Sequence, residues 1–97
     1  MGIDEFSATL QGVEPPASLS FALQAVWWDR HGDWQRAHEC VQANESDPAS
    51  ALVHAYLHRK EGDLSNAAYW YHRARQAVGT GELDAEWTSI TASLLAG

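Results

Sequence analysis

The chain alternates between stretches with regularly spaced apolar residues and short breaks rich in Gly, Pro, Asp and Ser. Within the stretches the apolar residues recur every three or four positions, which places them on one face of an α-helix. This pattern predicts five helices, at about residues 18–31, 33–44, 47–61, 63–78 and 82–95. We therefore predict an all-α protein.

The breaks supply the signals that begin and end these helices. Pro15-Pro16 blocks a helix upstream, so Ser18 is the predicted cap of the first one. Asp47 followed by Pro48 is a cap with proline in the favoured first turn. Residues 79–81, Gly-Thr-Gly, end the fourth helix. Residues 3–10 also have apolar spacing, and we expect them to cover one end of the structure.

An internal repeat relates two of these stretches. The string LQAVWWDRHGDWQRA at residues 23–37 returns 30 positions later as VHAYLHRKEGDLSNA at residues 53–67. Each copy holds Gly-Asp between two helices: Gly can adopt the left-handed conformation that ends a helix, and Asp caps the next one. Because the link is so short, each pair of helices must fold back on itself.

These residues resemble the tetratricopeptide repeat. The first copy matches its pattern at Phe21, Ala25, Trp28, Gly32, Ala37 and Val41, and the second at Ala51, Ala55, His58, Gly62, Ala67 and Tyr71. The resemblance implies two tandem antiparallel hairpins, residues 18–45 and 47–78, in a single domain. An N-terminal segment, residues 1–17, precedes them and a capping helix, residues 82–95, follows. The sequence departs from the family in its 30-residue period and in having only two repeats.

A second resemblance is confined to the second hairpin. Residues 61–74, EGDLSNAAYWYHRA, are similar to small bacterial proteins of unknown function that carry a VHAYLHR–EGD–YWYHRA signature. This likeness implies no activity.

Charge and composition narrow the classes of partner. Thirteen acidic residues stand against six basic ones, and the formal net charge of −7 argues against binding nucleic acid or an anionic membrane. No signal peptide or membrane-spanning run is recognisable, so we expect a cytoplasmic protein. Cys40 is the only cysteine, which excludes an intrachain disulfide.

Apolar residues on the predicted helix faces give the expected core. Its members are Leu19, Leu23, Val26, Trp27, Trp34, Val41, Leu52, Val53, Tyr56, Leu57, Leu64, Tyr71 and Trp87.

Histidines form the one constellation with metal-ligand spacing. His54 and His58 are four residues apart and Glu61 is three further on, so all three lie within an arc of about 60° on one helix. This spacing lets two imidazoles share a divalent metal, with the carboxylate as a third ligand. His38 or His72 would join from another helix. The alternative is that these histidines are packing residues. The metalloprotease motif H-E-x-x-H is absent.

Pairs of adjacent aromatic residues indicate a surface outside the core that could bind a partner. Neighbouring side chains on a helix point about 100° apart, so both members of a pair cannot face the same core. A basic group accompanies them in the second hairpin. The predicted partner-binding residues are Trp28, Tyr69, Trp70, Arg59 and Arg73. Burial of the rings and favourable interaction of the cations with helix dipoles are the alternatives.

Two functions follow from the sequence. The first is a protein-interaction or scaffolding module that binds a protein or peptide or forms a homodimer. The second is a metal-binding protein or small hydrolase that uses the histidines. No catalytic or cofactor-binding residue is assigned, and a divalent metal is the one cofactor considered.

Overall fold

The computed structural model describes residues Met1–Gly97 and contains six helices and no strand. The helices are α1 (Ile3–Thr9), α2 (Phe21–Arg30), α3 (Trp34–Gln42), α4 (Pro48–Glu61), α5 (Leu64–Arg73) and α6 (Leu83–Ala96). The predicted all-α class is confirmed. None of these helices combines the length and hydrophobicity that crossing a membrane requires.

The helices of each repeat copy pack against each other, α2 on α3 and α4 on α5. Both turns between them depend on glycine: Gly32 and Gly62 each have φ of 90°, in the region that residues with a Cβ avoid. The side chains of Asp33 and Asp63 then cap α3 and α5 by accepting hydrogen bonds from backbone N–H groups. The Gly-Asp pairs therefore end one helix and begin the next.

Two predicted helix boundaries are wrong. Helix α2 begins at Phe21, and its cap is Ser20, whose hydroxyl accepts the N–H of Leu23, rather than Ser18. Helix α5 ends at Arg73 and not at residue 78. Its end is closed by a hydrogen bond from the N–H of Gln76 to the carbonyl of Tyr71, across a left-handed residue.

That left-handed residue is Arg75, with φ of 58°. Gly32 and Gly62 stand in such a conformation after α2 and α4, whereas Arg75 keeps a Cβ that opposes it. The Arg75 side chain forms no ion pair that offsets this strain. Because no glycine marks the end of α5, the sequence pattern predicts a longer helix than the structure has.

Replacing Arg75 by glycine is expected to stabilise the protein by about 0.5–1 kcal/mol, because relief of the backbone strain exceeds the added entropy of the unfolded chain. Chemical denaturation followed by circular dichroism measures this change. Arg75→Ala is the control: it removes the same charge but keeps the Cβ, so it should bring no gain. An equal gain in both variants would assign the effect to charge.

Helix α6 lies against α2 and α4, the first helices of the two pairs, rather than at the end of the second pair. The indole N–H of Trp87 donates to the carbonyl of Val26 at 2.9 Å. Glu86 accepts from the guanidinium of Arg59 at 2.6 Å and from the hydroxyl of Tyr71. These contacts join α6 to both helix pairs.

The N-terminal segment forms α1, which packs on α6. Phe6 is completely buried, and its ring lies 6.1 Å from that of Trp87. Leu64 is the clear error among the predicted core residues, since it is 66% exposed at the first position of α5. Leu19, Trp34 and Leu52 are half-buried at the edge of the core.

Candidate metal centre

Three histidines from two helices meet between α3 and α4. The ligand-type nitrogens of His38, His54 and His58 all lie within 4.8 Å of one another. Nε2 of His38 and Nε2 of His54 are 2.8 Å apart, so one donates a hydrogen bond and the other accepts it. The short link of residues 43–47 places α3 beside α4, and the spacing of four residues aligns His54 and His58 on the same face. The centre therefore joins the two helix pairs.

Aromatic rings enclose these imidazoles. His54 stacks on Trp70 of α5, with ring centroids 4.0 Å apart, and on His58 at 4.9 Å. His38 stacks on Trp34 at 4.7 Å, and the indole N–H of Trp34 donates to the carbonyl of Leu57. The stacked rings leave each imidazole few orientations.

Glu61 takes a different position from the predicted one. Its carboxylate accepts from Nδ1 of His58 at 3.4 Å instead of converging with His54 and His58 on a common point. His38 completes the group of three in its place. A carboxylate on the outer nitrogen of an imidazole fixes the tautomer and leaves the Nε2 lone pair free for a ligand. Asp63 joins His58 and Glu61 in a second, more exposed group of ligand-type atoms.

The environment keeps His54 uncharged at neutral pH. Burial, followed by the neighbouring His38 and His58, lowers the pKa of His54 to about 4. Burial and His58 also lower the pKa of His38, although the carboxylates of Glu61, Glu45 and Glu39 oppose that shift. Neutral imidazole is the form that binds metal ions, so neither histidine must first lose a proton at pH 7.

One polar atom of the centre lacks a partner. Nδ1 of His54 is buried and forms no hydrogen bond. A buried polar atom without a partner costs about 1–3 kcal/mol, and such atoms are rare in folded proteins.

The donor set suits a divalent transition ion. Imidazole nitrogens are preferred ligands of zinc, copper and nickel. Two nitrogens on one tetrahedral zinc lie about 3.3 Å apart. His38 and His54 would thus separate by only about 0.5 Å from their present contact to share an ion.

The surface grooves of the protein lie away from the three histidines. The protein has three surface grooves, of about 270, 210 and 310 Å³, and none is lined by His38, His54 or His58. His54 and His58 are themselves buried.

The residues predicted to bind a partner differ in burial and in their contacts. Tyr69 is exposed and Trp28 half-buried, whereas Trp70 is buried against His54. Arg59 is held in its pair with Glu86, and both side chains are largely buried. Arg73 is exposed and donates to the hydroxyl of Tyr69. Tyr69, Trp70 and Arg73 contact one another, and His72 is exposed on the surface and is not part of the group of three histidines.

The chain has no match among protein-family models, curated proteins or solved structures.

Proposed function

We propose that the protein binds one divalent transition-metal ion through His38, His54 and His58. The observation that carries this proposal is the convergence of three imidazoles, two of them buried, at the junction of α3 and α4. The low pKa of His54 supports it, because neutral imidazole is the form that binds a metal ion. Glu61 is the positioning residue, because it holds the outer nitrogen of His58.

Zinc loading tests the proposal directly. Purified protein is saturated with Zn²⁺, dialysed and analysed for metal, and we expect about one equivalent per chain. His38→Ala and His54→Ala should lose the ion, whereas His72→Ala, a histidine removed from the surface, should keep it. Glu61→Gln should retain the stoichiometry with an affinity about 10–100-fold lower. Wild-type protein without zinc, or equal loss in His72→Ala, would refute the centre.

A relation of the helix pairs to tetratricopeptide hairpins is part of the same proposal. Its support is local: both turns use glycine at φ of 90°, and both second helices begin at a capping aspartate. The small residues Ala37 and Ala67 are buried at the same position of each pair. Helix α6, however, covers the face shared by α2 and α4, so a peptide would have to bind elsewhere.

Self-association is the second candidate function, favoured by a groove of about 270 Å³ along α2 and α3. Phe21, 47% exposed, and Trp28 line it. Sedimentation equilibrium at protein concentrations near 100 µM should then give the mass of a dimer. Phe21→Ser should shift the mass to that of a monomer and Tyr69→Ser, on another exposed ring, should not. A wild-type protein that remains monomeric contradicts this candidate.

A further inference from the structure

Helix α3 buries few residues for a member of the two helix pairs. It buries Ala37 and Val41 only, against three residues in α5, six in α2 and eight in α4. Regions with few buried contacts open most readily in native proteins. Apart from its apolar contacts, α3 is held to α4 by the hydrogen bond from Trp34 to Leu57 and by the contact between His38 and His54.

The ligands are divided unequally between the helices. His54 and His58 both belong to α4, so an ion held by them alone would constrain one helix only. His38 is the single ligand from α3. An ion shared by all three residues therefore connects α3 to α4, and α3 cannot move away without breaking a metal–ligand bond.

The other helices do not depend on this connection. Trp87 and Glu86 attach α6 to α2 and α4 through hydrogen bonds that involve none of the three histidines. Trp27 and Tyr56 are buried in the apolar core that α2 and α4 share. Opening of α3 alone would leave these contacts in place.

From this arrangement we infer that metal binding controls the docking of α3 against α4. The inference rests on the proposed metal centre and adds a regulatory role to it. With the ion bound, α3 stays docked. Without it, α3 opens locally while α2, α4 and α6 keep the core together. The ion thereby determines how often the inner surface of α3 and the groove beside it are exposed.

Hydrogen exchange resolved by mass spectrometry tests the inference, with zinc binding measured separately by calorimetry. At free Zn²⁺ of about 100 times the dissociation constant, openings that break the site become about 100-fold rarer. We expect amides of α3 to exchange up to about 100-fold more slowly with zinc and those of α6 to change little.

His38→Gln separates binding from docking. This variant keeps the pair His54 and His58 on α4, which should still bind zinc at higher concentration. When this variant is saturated with zinc, we expect the amides of α3 to exchange no more slowly than without zinc. His72→Gln should behave as the wild type. Zinc binding without slower exchange in α3, or with equal slowing in α6, would overturn the inference and leave the metal centre intact. Absence of zinc binding in the wild type would overturn both.

Discussion

Replacing Trp27 by alanine is expected to destabilise the protein by about 3–5 kcal/mol. Trp27 is completely buried in the main core, and its indole N–H donates to Thr9 at 3.1 Å. Its ring also stacks on His31 at 4.5 Å and contacts Trp28 edge-on. Truncation removes a large apolar surface, leaves a cavity and frees the Thr9 hydroxyl. Domains of this size are stable by only about 5–15 kcal/mol, so the loss is a large share of the total.

Urea denaturation followed by circular dichroism measures this loss without relying on tryptophan fluorescence. Leu64→Ala is the matched control, since Leu64 is also a large apolar residue of a helix but is 66% exposed. Its effect should remain within about 0.5 kcal/mol. If Trp27→Ala lowered the free energy of unfolding no more than Leu64→Ala does, the core around α2 would not be a main source of stability.

Local patterns predict the helix pairs well, because the signals that set them lie within a few residues. Gly32 with Asp33, and Gly62 with Asp63, specify both turns before any tertiary contact is known. The end of α5 is missed because Arg75 adopts a left-handed conformation that its residue type disfavours. Such a conformation depends on surrounding contacts, which the sequence pattern does not contain.

The position of α6 depends on contacts far apart in the chain. Its apolar residues predict a helix that packs on the rest of the protein. They do not predict which helices it packs against. Trp87 binds a carbonyl 61 residues away, and Glu86 binds Arg59. Arg59 is thereby removed from the predicted partner surface. Burial of Trp70 likewise follows from its stack on His54, since spacing alone cannot decide which of Tyr69 and Trp70 faces inward.

Spacing within one helix predicts two of the three metal ligands that we propose. The predicted pair His54 and His58 lies in the centre, whereas the third predicted ligand, Glu61, binds the outer side of His58. The sequence predicts that either His38 or His72 joins this pair from another helix. The repeat does not distinguish between these two histidines. The packing of α3 on α4 decides between them.

The two proposed functions would use different surfaces of the fold. A scaffold of helical hairpins would offer a peptide the face shared by its first helices, and here α6 covers that face. The histidine centre, in contrast, unites residues from both pairs at the one junction that a metal ion could control.

Acid is expected to destabilise the metal-free protein strongly between about pH 6.5 and pH 4. Burial and the two neighbouring imidazoles lower the pKa of His54 to about 4 in the folded state, whereas a histidine in the unfolded chain has a pKa of about 6.5. The unfolded state therefore binds the proton first as the pH falls. The stabilisation is fully present above pH 6.5 and decreases as the pH approaches 4, with a total loss of about 3 kcal/mol.

Unfolding free energies of protein treated with EDTA, measured by urea denaturation at several pH values, test this expectation. His38 of α3 and His58 of α4 are the titratable groups that face His54, and the lowered pKa of His38 acts in the same direction. His54→Gln cannot take up the proton, so it should flatten most of the slope, while His72→Gln should preserve it. A slope unchanged in His54→Gln would place the acid sensitivity outside the centre. Saturating zinc should deepen the loss in the wild type, because protons then compete with the ion for the same imidazoles.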